Sequence, residues 1–180
     1  HTTNGSDFQY TLSVITTQPD KLHSVLRDYV REHMNPAVFE IMKATGCEIT
    51  PYVHTFDKIP DNGIKDYLET PRYSTGYAAL FNTIGFVTEA HKYKPYKNRV
   101  EHTYHYLLNI TKWVNQDYLR IGELRKKAFE EVRQQQTFDV FWEPDTVTSI
   151  PFSFRGYEVA YKNSLVSGKK IHFYDYNKPY

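Results

Sequence analysis

A single cysteine, Cys47, excludes an internal disulfide. It says little about compartment, because many exported proteins use no disulfides. A basic excess is missing too: 22 Lys and Arg stand against 21 Asp and Glu, a net charge of +1. Nucleic-acid binders carry such an excess, so nucleic acid is not an expected partner. No run of ~18 apolar residues occurs, so no membrane-spanning helix is expected. G-x-S-x-G is absent, and so is a Gly-rich phosphate loop. Cys47 opens an apparent strand and reads as core, which leaves nucleophilic catalysis poorly supported. Repeats and low-complexity tracts are absent as well.

What is plentiful is aromatic side chain, with 16 Tyr and 11 Phe in 180 residues. A tyrosine ring offers area and its hydroxyl a hydrogen bond, which suits recognition. A Tyr-heavy core and interface explains the same count. The length is enough for a domain with its own core.

The pattern along the chain is strand, helix, strand, loop, strand, helix, which is an α/β order. "FQYTLSVITT" alternates apolar and polar and reads as a strand. Leu22, Val25, Leu26, Tyr29 and Val30 follow at helical spacing, with Pro19 and Asp20 at the start and Gly46 at the stop. Pro36 is expected to break or kink that run. "CEITPYVHTF" reads as a second strand. "DKIPDNGIKDYLETPRYSTG" reads as a long surface loop of the kind that builds sites. Ile84–Val87 fits a buried strand. Residues 96–135 read as one long helix, and the tail as short β-like pieces. The expectation is a mixed sheet with flanking helices over residues 1–135 and a β-rich tail over 136–180.

The sharpest candidate is Glu89, directly after Ile84-Gly85-Phe86-Val87. In open α/β sheets ligands lie outside the carboxyl ends of strands. A partly dried carboxylate there can act as general base. Pairing with an Arg or Lys at the sheet edge is the competing reading. His1 precedes a strand in a Thr/Asn/Gly turn, which can hold an imidazole at a metal; a terminal His is as readily an accident of the cut. His102 and His105, with Glu101, share a helix face that reads as solvated. His54 and Asp57 form a weak H-x-x-D. His91, two residues after Glu89, is a candidate to orient it or line the same pocket.

"RYSTGYAALFNTIGFVTEAHKYKPY" resembles the zinc carboxypeptidase family, in its bacterial exported branch. There a strand ending in Thr/Ser-Glu-Ala, followed by a Y-K-P-Y-like stretch, carries the catalytic glutamate, and Glu89 matches it. The opening "HTTNGSDFQYTL" is similar to the family's turn that supplies the third zinc ligand, and His1 matches that histidine. The resemblance covers His1 to about Leu108, and the tail over 136–180 is similar to the start of an appended β domain in such proteins. It implies a zinc-dependent peptidase acting on peptides, periplasmic or secreted, with Glu89 as general base and zinc held partly by His1. It also implies a mobile tyrosine that closes over substrate, for which Tyr73 and Tyr67 are the candidates. Arg72 is a candidate for a substrate carboxylate, or a plain surface ion pair.

The family's His-x-x-Glu motif is not found: none of the eight histidines has Glu three residues on. The chain is therefore expected to be the C-terminal half of a catalytic domain, self-associating or pairing with a missing N-terminal half. Two alternatives share this architecture: a non-catalytic peptide-binding relative, and an N-acyl amino acid deacylase.

Overall fold

A computed structural model describes residues 2–3, 7–56 and 59–180. The first half holds strands β1 (Thr2–Thr3) and β2 (Leu12–Thr16), helices α1 (Ser24–Tyr29) and α2 (Asn35–Ala44), and strands β3 (Ile49–Pro51), β4 (His54–Thr55) and β5 (Ile64–Lys65). Helix α3 (Ser74–Ala79), strand β6 (Phe86–His91), helix α4 (Tyr96–Gln134) and the strands β7 (Tyr157–Asn163) and β8 (Lys170–Pro179) complete it. The chain is thus mixed α/β, as its pattern predicted.

The central sheet has the order β1-β6-β2-β3. β6 runs antiparallel to β2, and β1 and β3 run parallel to their neighbours. The register sets Leu12 opposite Ala90, Ser13 opposite Glu89 and Ile15 opposite Val87. Side chains alternate across a strand. One face therefore carries Leu12, Val14 and Ala90, which join Leu26, Val30, Val38, Met42 and Tyr106 in the core. Phe86, on that face, meets the Tyr106 ring at 6.2 Å. The other face carries Ser13, Ile15, Val87 and Glu89.

Pro36 does not end its helix. The preceding turn widens instead: Val30–Met34 is a π-helical segment, and the Asn35 N–H bonds back to the Val30 carbonyl. Proline lacks an N–H and its ring crowds the carbonyl four residues back, and a wider turn relieves both. The helical run stops where predicted, at Gly46, whose φ of +73° suits glycine. Its start is later than predicted. Pro19–Lys21 makes a 3₁₀ turn and α1 begins at Ser24.

α4 departs from helical geometry at Asp117. The Asp117 carboxylate accepts the Tyr29 hydroxyl at 2.6 Å, and Trp113 Nε1 donates to that hydroxyl at 3.3 Å. Burial, with the bond to Asp117 second, pushes the Tyr29 phenol up to about 12. The tail contributes the β7–β8 hairpin. It is bonded to the segment before β2: Gln9 Nε2 donates to the Gly156 and Tyr180 carbonyls at 2.9 and 3.0 Å, and the Tyr176 hydroxyl donates to Asp7. Among the described residues no helix is long and apolar enough to cross a membrane.

Leu12 is fully buried on the central strand. Leu12→Ala should cost about 2–5 kcal/mol of stability. Urea unfolding reads this directly; an unchanged midpoint would contradict the placement of the core.

Candidate functional site

Period-two alternation on β2 and β6 leaves Ile15, Val87 and Glu89 on the face away from the core helices. The chain after β3 folds over that face. Tyr52, Tyr67 and Glu69 come from this segment, and Tyr73, Ser74 and Thr75 from the start of α3. Together these residues line a cavity of about 200 Å³. Glu89 is buried in its wall, 8% exposed.

Glu89 lies inside β6, whereas the sequence placed it just after the strand. The apolar run ends at Val87, but the hydrogen-bond ladder does not. Ala90 still pairs with Leu12 and Thr2, and the His91 N–H reaches the Thr11 carbonyl at 2.9 Å. Hydrophobicity marks which strand is buried, and pairing marks where it stops.

Of segment 57–76, read as surface loop, the described part, 59–76, is surface for only some of its length. Its end is clamped. Glu69 is 1% exposed, and its Oε1 accepts the Thr75 hydroxyl at 2.8 Å. The Thr17 hydroxyl donates to the Thr75 carbonyl at 3.3 Å and accepts the Gly85 N–H at 2.8 Å, tying the loop to the entrance of β6. Gly76 permits this closeness: a Cβ there would lie 2.2 Å from the Thr70 carbonyl oxygen. Burial, opposed by the bond from Thr75, by a bond from its own backbone N–H and by the Lys21 charge, raises the Glu69 carboxyl above its ordinary range.

The tyrosines form a chain of ring edges. Tyr52 meets Tyr67 at 5.4 Å, and Tyr67 meets Tyr73 at 5.7 Å. A hydrogen bond with Tyr73, then burial, pushes the Tyr67 phenol up to about 12. Burial raises Tyr52, and the Glu89 charge adds to it. The two tyrosines named from sequence therefore share one wall with Glu89.

The other sequence candidates lie elsewhere. Arg72 is exposed and is not part of the cavity wall. His91 is fully buried but serves a different cluster: its Nδ1 accepts the Tyr93 N–H at 3.2 Å, its Nε2 lies 3.6 Å from Asp7, and Phe8 packs edge-on at 4.6 Å. His54 meets the Tyr67 ring edge-on at 5.6 Å. Cys47 is buried, and burial raises its thiol, as suits a core residue. His102 faces a separate cavity of about 320 Å³ with Lys43, Glu48 and Arg155. Burial, then the His105 charge, lowers its imidazole. Arg155 there is already paired with Glu48, so that larger cavity offers less unmatched charge. His1 and Asp57 lie outside the described residues. Among the described residues no group of three or more His, Cys, Asp or Glu is arranged to hold a metal.

Sequence reasoning missed Glu69, Thr75 and Tyr52. Glu69 and Thr75 stand six apart in a polar stretch, and nothing in the composition separates a buried carboxylate from a solvated one. The "STG" triplet was the available signal, since a glycine beginning a helix without a cap role points to close packing.

Compared with family models, with curated proteins and with solved structures, the chain matches none.

Two outcomes follow from the clamp. Gly76→Ala should lower stability by about 1–3 kcal/mol, because helix α3 or the Thr70 carbonyl must move. A wild-type thermal midpoint in that variant would contradict the contact. Glu69 has a folded-state pKa above its unfolded one, so its contribution favours the fold below the ordinary carboxyl range. That contribution is lost as pH rises through the raised value. Glu69→Gln should therefore be more stable than wild type at neutral pH and lose that advantage in acid, as read by unfolding across pH. The reverse order would show that Glu69 is stabilised as a carboxylate.

Proposed function

We propose that the chain is part of a zinc-dependent carboxypeptidase-like hydrolase, with the Tyr-walled cavity receiving a peptide residue and Glu89 serving as general base. One observation carries this reading. Glu89, Tyr67 and Tyr73, which the family resemblance names for proton transfer and substrate closure, line one cavity. At about 200 Å³ it is smaller than the ~300–1,000 Å³ of sites for drug-sized ligands, and suits a single residue.

In this reading the Glu89 carboxylate accepts a proton from a water attacking the scissile carbonyl, and returns it to the leaving amine. Its place on a paired strand holds the carboxylate rigidly. Tyr67 and Tyr73 exclude water by closing on the bound residue, and Ile15 and Val87 supply apolar contact. A catalytic zinc requires three protein ligands and an open position. The described wall offers two carboxylates and phenols but no imidazole, and does not make that set alone. The reading assigns one ligand to His1 and the others upstream of it. Thr2 pairs with Ala90, the neighbour of Glu89, which brings strand β1 alongside the cavity strand.

The test is peptide hydrolysis. The 180-residue chain alone should show little or none. A protein extended upstream to a His-x-x-Glu segment should cleave peptides, and Glu89→Gln should lower kcat by about 10²–10⁴-fold with peptide affinity nearly unchanged. Hydrolysis that survives Glu89→Gln would overturn the assignment. Peptide binding without hydrolysis in the extended protein would favour the non-catalytic relative.

A further inference from the structure

We propose that the tip of the β7–β8 hairpin is a membrane-contact point. Leu165 and Val166 enter the surface of an anionic phospholipid bilayer, and Lys162, Lys169 and Lys170 engage the phosphate headgroups around them. This is independent of the peptide reading of the Glu89 cavity.

The turn between the strands is built by Ser164. Its Oγ accepts the Val166 and Ser167 N–H groups at 3.2 and 3.1 Å. Its N–H donates to the Lys169 carbonyl at 2.9 Å, and its own carbonyl accepts the Gly168 N–H at 2.9 Å. These bonds hold the turn, and it presents its apolar residues outward: Val166 is 98% exposed and Leu165 wholly so. One exposed aliphatic side chain is ordinary. Two neighbours held out by a bonded turn contribute no packing to the fold, and both are stabilised by leaving water.

The surroundings of the tip say what it would enter. No acidic residue occurs between Glu158 and Asp175, whereas three lysines do, all exposed. The register sets Lys170 opposite Asn163 and Lys162 opposite Ile171, so two lysines stand in the first two pairs below the turn and Lys169 in the turn itself. Tyr161 and Phe173 follow, also exposed, and Lys162 Nζ lies 5.1 Å from the Phe173 ring centre. Aliphatic tip, cationic collar and aromatic side chains match the passage from acyl chain to headgroup. The other end of the hairpin is tied to the body, where Gln9 Nε2 donates to the Gly156 and Tyr180 carbonyls. A protein partner takes about 800 Å² from each side, and two aliphatic side chains fall well short of that. A nucleic acid would use the lysines and leave the aliphatic pair in water.

The test floats the 180-residue chain at low salt with vesicles of phosphatidylcholine alone, and of two parts phosphatidylcholine to one part phosphatidylglycerol. Binding should be about tenfold or more tighter to the anionic vesicles, since each lysine near such a surface contributes roughly fivefold. High salt should weaken it. Leu165→Ser with Val166→Ser leaves the charge and the thermal midpoint unchanged, and should weaken binding by about tenfold. Lys169→Glu with Lys170→Glu should remove the preference for anionic lipid. A polarity-sensitive dye on Leu165→Cys should shift to the blue on anionic vesicles, and Cys47 is buried, so the label reports the tip. Absence of binding, equal binding to both vesicles, or binding that survives the serine pair would overturn the proposal. Self-association without lipid that the serine pair abolishes would also overturn it, because the tip would then seat a second copy of the chain. None of these readouts involves Glu89, so failure here leaves the peptide reading standing.

Discussion

The antiparallel pairing of β2 with β6 is the constraint on which the site depends. Its register sets Ser13 opposite Glu89 and Ile15 opposite Val87. A slip of one residue would turn Glu89 into the helix-packed core and Ala90 toward the cavity, because side chains alternate with a period of two. The core enforces the register. Leu12, Val14 and Ala90 belong against Leu26, Val30 and Met42, and an offset of one residue would not bury them together. Hydrophobic burial on one face thus aims a carboxylate from the other.

The cavity face is closed by polar means. Thr17, Thr75 and Glu69 form a short relay from the mouth of β6 to the end of the covering segment, and Gly76 lets two backbones meet where a methyl group would not fit. The tyrosines then fill the rim. Such a wall is specific but costly, since it leaves Glu69 Oε2 buried with no hydrogen-bond partner among the described residues. Strain of this kind is retained at functional sites when a ligand relieves it.

Much of the scaffold could be read from the sequence where a signal was long and periodic. The alternation of "FQYTLSVITT", the repeat from Val100 to Val132 and the glycine stop at position 46 each correspond to an observed element or boundary. Where a feature depended on contact between distant segments, the sequence was silent. Pro36 signalled a break, but the turn before it widens to a π turn and the helical run continues. Glu89 was placed after a strand because the apolar run stops at Val87, while pairing with β1 and β2 carries the strand on to His91. His91 stands two residues from Glu89, yet Asp7 and Phe8 hold it in another cluster. Glu69 had no local mark at all, because its burial is made by Thr75 and Gly76. Glu89 was named from its strand and again by resemblance, Tyr67 and Tyr73 by resemblance alone, and their sharing one cavity is a property of the fold.

The most direct test of this account is the side-chain carboxyl ¹³C spectrum of the chain as a short peptide is added. The account predicts that Glu69 and Glu89 shift together and saturate at the same peptide concentration, while Glu48 and Glu131, which lie outside the cavity, do not move. Shifts confined to other carboxylates, or none at Glu69 and Glu89, would contradict it.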